Sequence, residues 1–239
     1  MTDLLLVVGV AAAVFAMAAL AQAITGFGSA LVAVPLLTLV VHPIAAVVGA
    51  TAVSLVLTSG AAWRERSHVD VAAARSLTVT GILGMPLGLV LLGATEESRL
   101  EAWIAAAMLV MVVLVASGVR IGARGLPAAG LLSGALLTST GMNGPPLVMA
   151  LLDREPRCYR ATLQGVFAVQ DVVAVAAFLV LGHVDREVAL LTCSGVVGLP
   201  LGWRLGDAVF QRIPAARLRP VVLGGLVLTA ASMLVGVVA

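Results

Sequence analysis

The sequence predicts an all-α integral membrane protein made of two inverted-topology repeats, and three observations carry that expectation. Hydrophobic residues make up 61% of the 239 positions and charged residues only 11%, with a mean hydropathy of +1.14, which leaves too little polar surface to cover a water-soluble domain of this size. The basic residues, all arginines, cluster in a few short segments. Three motifs of the first half return, in the same order, in the second.

The elements follow from span length, because a membrane-crossing helix needs about 20 apolar residues for a hydrocarbon core of about 30 Å. Apolar segments lie at 4–24, 27–41, 43–62, 71–93, 101–119, 126–140, 144–152, 161–182, 188–206 and 218–238. The first two are parted by "TGFGS" (Thr25 to Ser29), and Pro43 opens the third. The sequence "HVD" (68–70) precedes the fourth, and the fifth ends before an arginine-bearing loop. The sixth and seventh are parted by "GMNG" (141–144), and the seventh, as a helix, is only ~13 Å long. It cannot cross alone, so 126–140 and 144–152 are expected to form a re-entrant hairpin that enters and leaves by one face. The last three segments are of spanning length or near it. One membrane domain over 1–239 results, without a polar block able to fold separately. Met1 to Asp3 carry no basic stretch, so a cleaved signal peptide is not expected.

Arginine placement orients the chain. Segments 64–75, 120–124, 154–160 and 204–219 hold 12 of the 14 arginines, leaving Arg99 and Arg186 outside them. By the positive-inside rule these segments are cytoplasmic. Both termini are then extracytoplasmic, in a multi-pass protein of the cell (inner or plasma) membrane. The loops at 120–124 and 154–160 share a face only if the chain between them crosses an even number of times, as a re-entrant pair does.

The repeat sets the architecture. "GFGSALVAVPLL" from Gly26 resembles "GMNGPPLVMALL" from Gly141, and "HVD" at 68–70 returns at 183–185, both at an offset of 115. "GILGMPLG" from Gly81 returns as "GVVGLPLG" from Gly195 at an offset of 114. The halves 1–122 and 123–239 each hold a glycine-broken hairpin and three transmembrane spans, an odd number that inverts the second half. Inverted repeats with interrupted segments at matching places point to a secondary transporter whose site lies between the repeats.

These motifs, "TGFGSALVAVPLL" and "TGMNGPPLVMALL" with "HVD" before "GILGMPLG" and before "GVVGLPLG", resemble those of the sulfite exporter TauE/SafE family of membrane transport proteins. The resemblance covers essentially the whole chain. It implies a transporter of sulfite, a sulfonate, thiosulfate or a related small sulfur-containing anion.

The broken backbone has a use of its own. Freed N–H and C=O groups inside a membrane cost several kcal/mol each unless satisfied, so irregular backbone at depth implies a buried site or cavity. Gly144 is expected to cap a short helix with Pro145 at its first position and Asn143 at the tip, while Ser29 and Thr25 cap the segment 30–41. Two helix N-termini would converge near the midplane and offer N–H groups to an anion. Glycines 26, 28, 141 and 144 would allow close approach and positive φ. The expected substrate-binding set is Thr25, Gly26, Phe27, Gly28, Ser29, Gly141, Met142, Asn143 and Gly144. Glycines 81, 84, 88, 195, 198 and 202 are read instead as packing devices.

Asp171 lies near the centre of segment 161–182, where an aspartate costs at least ~2.5 to 3.5 kcal/mol. Two readings stand side by side: a functional carboxyl with Gln170 beside it, either taking up a proton as an anion binds or contacting a cation or amine, and a structural carboxyl, protonated or bonded to Gln170, Gln164 or the hairpin backbone. Arg154, Arg157 and Arg160 could steer anions but are read as a solvated positive-inside loop.

The chain shows no Walker loop, no nucleophile–base cluster and no HExxH, so it is not read as an ATP-driven pump or an enzyme. The three histidines are scattered, and neither a metal site nor a cofactor is expected. Cys158 and Cys193 are not expected to pair. The expected partners are a small anion, protons and the lipid bilayer, with no nucleic acid. An anion channel with a continuous pore is the alternative to a transporter.

Overall fold

The computed structural model describes residues 2–95 and 121–214, with isolated positions at 99, 102–104, 106, 109, 110, 113, 117, 217, 220, 221 and 224. Among these residues the regular elements are helices and none is a strand: α1 (Thr2–Thr25), α2 (Ser29–Leu37), α3 (Pro43–Glu65), α4 (Val71–Ala94), α5 (Leu126–Thr140), α6 (Gly144–Leu151), α7 (Pro156–Val180) and α8 (Arg186–Phe210). Single 3₁₀ turns follow α3 and precede α5. Five helices are long and apolar enough to cross a membrane, namely α1, α3, α4, α7 and α8. The predicted spans 101–119 and 218–238 lie outside the described residues apart from isolated positions.

The helices begin and end where backbone chemistry dictates. Asp70 accepts from the Ala73 N–H at 3.0 Å and Asp185 from the Val188 N–H at 2.9 Å, so the two "HVD" sequences do the same work as N-caps of α4 and α8. Proline stands in the first turn of α3, α5 and α7, where its missing N–H costs nothing. Gly26 (φ 86°) ends α1 and Gly141 (φ 76°) ends α5, in the left-handed region that side chains disfavour.

Three boundaries depart from the sequence expectation. The second arm of the first hairpin spans Ser29–Leu37 rather than 27–41, because Gly26 and Gly28 are both left-handed and residues 38–41 form a turn before Pro43. The α7 helix starts at Pro156, not at 161, with Glu155 accepting from the Cys158 N–H at 3.1 Å. Arg157 and Arg160 are therefore helical and not part of a loop. The α8 helix runs on to Phe210, which makes Arg204 helical too.

Small residues determine which helices touch. A β-carbon on Gly84 or Gly88 of α4 would collide with the carbonyls of Leu131 or Ala135 in α5. One on Gly198 or Gly202 of α8 would collide with those of Ala12 or Ala16 in α1. The helix carrying "GILGMPLG" thus lies against the first arm of the second hairpin, and the helix carrying "GVVGLPLG" against the first arm of the first. Close backbone approach of this kind substitutes for the hydrophobic drive that lipid cannot supply. The opposite faces, with Leu83, Leu87 and Val90 on α4 and Val197, Leu201 and Leu205 on α8, are exposed and apolar, as suits contact with lipid. Cys158 and Cys193 are free thiols.

Candidate functional site

The two hairpins meet tip to tip. Gly28, Ser29, Ala30 and Leu31 of the first and Met142, Asn143 and Gly144 of the second line one small cavity, closed at its sides by Gln22, Ser54 and Phe167. Its volume is about 10 Å³, about what one water needs. Phe27 packs on Gly144, where a β-carbon would meet its ring. Of the residues expected to bind substrate, Gly28, Ser29, Met142, Asn143 and Gly144 are thus brought together, with Phe27 against them. Thr25 and Gly26 turn instead toward the start of α7, where the Tyr159 hydroxyl donates to the Thr25 carbonyl at 3.1 Å. Gly141 sits behind the cavity against Val34.

The capping chemistry differs from the expectation. Gly28 is the N-cap of α2, with φ 101°, and neither Ser29 nor Thr25 caps that end as expected; Ser29 is the first helical residue. The Thr25 hydroxyl is engaged locally, bonded to the carbonyls of Ala21 and Phe27 at 2.8 and 2.6 Å. The Ser29 N–H is taken by Gln22 Oε1 at 3.2 Å. In the second hairpin Asn143, not Gly144, is the N-cap, and Gly144 does not have positive φ. Its glycine requirement is steric, set by Phe27. Pro145 and Pro146 both lack an N–H, so α6 can offer an anion fewer donors than α2.

A chain of buried amides ties the first tip to α7. Gln22 Nε2 donates to Gln164 Oε1 at 3.0 Å, and Gln164 Nε2 donates to the Gly26 carbonyl at 3.0 Å. Gln22 is a site residue that sequence reading missed, because a single glutamine near the end of a hydrophobic run carries no motif. The second tip is fixed by Gln170, whose Oε1 accepts from Asn143 at 3.3 Å and from Ser133 at 3.1 Å while its Nε2 donates to the Leu77 carbonyl at 3.3 Å.

Asp171 faces away from Gln170. Its Oδ2 accepts from Ser54 at 2.8 Å and Thr58 at 3.1 Å, and its Oδ1, buried, has no partner. The structural partners expected for it, Gln170, Gln164 or hairpin backbone, are replaced by two hydroxyls one turn apart on α3. Ser54 also lines the cavity, so the carboxyl stands one side chain from it. With 1% of its surface exposed, an ionised Asp171 would be a buried charge held by two hydroxyls and, among the described residues, by no cation.

Arg160, expected to be solvated, is 6% exposed. It forms ion pairs with Glu65 of α3 and, at 2.8 Å, with Asp207 of α8. Its Nη1 donates to the Ala23 carbonyl at 3.1 Å, and its guanidinium lies 3.8 Å from the centre of the Phe210 ring. Arg160, Gln164, Phe167 and Gln170 follow one another at three- and four-residue spacing, with Asp171 four residues after Phe167, so a buried, mostly polar seam runs along α7. At its arginine end opens a vestibule of about 550 Å³, lined among others by Arg64, Glu65, Arg157, Arg160 and Asp207.

Spanning helices, two interrupted hairpins and polar groups gathered where the interruptions meet define a polytopic membrane transport protein. The chain belongs to the sulfite exporter TauE/SafE family, whose family model matches residues 10–233. No curated protein and no solved structure matches it.

Proposed function

We propose that the protein is a secondary transporter of a small sulfur-containing anion, sulfite or a related sulfonate or thiosulfate, held between the two hairpin tips. The halves 1–122 and 123–239 act as inverted repeats around that site, with the arginine-rich ends of the helices and the vestibule on the cytoplasmic side. The observation that carries the reading is the small cavity shared by Gly28–Leu31 and Met142–Gly144. Glycine at 28 and 144 keeps side chains out of it, and the N-terminus of α2 turns its partial positive charge toward it. Because Pro145 and Pro146 follow Gly144 at the α6 end, the α2 end carries more of the anion's hydrogen bonds, and Asn143 supplies a side-chain amide.

The cavity is smaller than any three-oxygen anion, so the tips must separate for an anion to be held between them. Obligatory opening and closing favours a carrier over a channel with a continuous pore. Asp171 acts as the coupling carboxyl: ionised, it repels an anion arriving next to Ser54, and protonated it does not. At 100 mV inside negative, each net negative charge gains about 2.3 kcal/mol on leaving the cell, so export needs no coupled ion and accumulation does.

Counterflow in proteoliposomes tests the reading. Internal unlabelled sulfite should accelerate uptake of labelled sulfite, and Gly28→Val should abolish that acceleration. Uptake indifferent to internal sulfite would indicate a channel, and no flux of sulfite, thiosulfate or organosulfonates would remove the sulfur-anion assignment.

A further inference from the structure

Arg160 lines the vestibule on one side and lies against the Gly26 turn of the first hairpin on the other. On one side of Arg160 lies the open space bounded by Arg64, Arg157, Glu155 and His68. On the other lies Gly26, where a β-carbon would stand 3.6 Å from Arg160 Cγ and 3.0 Å from Tyr159 Cε1. One helical turn further along α7, Gln164 is already bonded to the Gly26 carbonyl and to Gln22, which lines the cavity at the tips. Arg160 itself draws together the end of α1 through Ala23, α3 through Glu65 and α8 through Asp207.

We propose that Arg160, clamped by Glu65 and Asp207, is the gate that closes the vestibule end of the substrate path. The proposal rests on the transport reading for what passes the gate, but not for whether the gate opens. Two properties suit the cluster to that task. It joins helices from both halves of the chain at one point, so parting it frees this end of α7 from α1, α3 and α8. It also sets two carboxylates against one guanidinium, a net charge of −1 when all three are ionised. The shut gate is a steric plug, and with Arg64 and Arg157 beside it in the vestibule an anion can approach but passes only once the clamped side chains have moved aside. A merely structural tie would need one counter-ion. The second carboxylate raises the number of contacts that must break for opening, and its removal leaves the Arg160–Glu65 pair intact, so the fold is not left with an unpaired buried charge.

The test reads access to the tip and needs no substrate. Ser29→Cys is introduced in a protein carrying Cys158→Ala and Cys193→Ala, purified in detergent and exposed to a charged methanethiosulfonate. Asp207→Asn should raise the modification rate about tenfold, the equivalent of ~1.4 kcal/mol taken from the closed state, and Asp207→Glu should return it toward the parent value. Glu65→Gln carries the same expectation and serves if Asp207→Asn does not yield folded protein. A modification rate unchanged by both neutral substitutions, in proteins that melt like the parent, would reduce the cluster to a structural tie. A raised rate combined with no anion flux in the counterflow assay would keep the gate and discard the transported anion.

Discussion

Phe27 and Gly144 interlock where the two hairpins meet: a β-carbon on Gly144 would stand 2.8 Å from Cδ2 and 3.2 Å from Cβ of Phe27. Real β-carbons do not approach so closely, so Gly144→Ala must push the tips apart or tilt the ring. The variant should weaken anion binding by about tenfold or more, ~1.4 kcal/mol, while remaining folded. Adding Phe27→Leu should recover part of the loss, since contacting residues are non-additive. Titration of sulfite binding on the single and double variants checks this. Purely additive effects would mean that the two residues do not form one contact in solution.

The glycine-faced crossings predict stability effects of a different kind. At Gly202 a side chain would run into the Ala16 carbonyl, whereas at Gly93 a β-carbon would meet nothing within 4 Å. Gly202→Val should cost about 1–3 kcal/mol by overpacking, lowering the melting temperature by roughly 2–10 °C. Gly93→Ala should leave it unchanged or slightly higher, because alanine favours a helix. Thermal unfolding followed by thiol-reactive fluorescence separates the two.

How far the fold was legible depended on where its causes lie in the sequence. The α5 helix, at 126–140, was readable to the residue because Pro127 and Gly141 mark its ends locally. The interlock of the tips was readable in outline, since glycine, proline and asparagine stand at repeat-equivalent places. Arg160 was not readable. Its partners Glu65 and Asp207 lie 95 and 47 residues away, and an arginine between Arg157 and a hydrophobic run has the signature of a solvated loop. The Asp171 partners escaped for the same reason: Ser54 and Thr58 are 117 and 113 residues distant. Hydropathy reports which residues lipid rejects, not which polar groups find one another inside.

Orientation yields a third prediction. Single cysteines replacing Arg124 and Arg157 should react with an impermeant reagent from the cytoplasm, and one replacing Arg186 from outside. The basis is the segregation of 12 of the 14 arginines. Opposite labelling at 124 and 157 would put an odd number of crossings between them, against the short α6, which cannot span. The re-entrant hairpin would then have to be abandoned, and with it the inverted arrangement of the halves.

The last prediction turns on the two oxygens of Asp171. Oδ2 receives hydrogen bonds from Ser54 and Thr58, while Oδ1 is buried without a partner, so the site can house an added proton or an amide without breaking a contact. Asp171→Asn should therefore fold, with its Oδ1 accepting from the two hydroxyls and its Nδ2 where the unpartnered oxygen stood. In the parent protein anion affinity should rise as pH falls, because protonation removes the negative charge beside Ser54. In the variant the charge is absent at every pH, so affinity should stay at its high, acidic-side value and proton-linked flux should fail. Ser54→Ala should leave the carboxyl in place and keep the pH dependence, which separates the charge from the hydroxyl that relays it. Sulfonate binding, measured with an anion that does not itself titrate over the range, checks all three proteins. A pH dependence undiminished in Asp171→Asn would assign the proton to another group and leave Asp171 as a packing carboxyl held by α3.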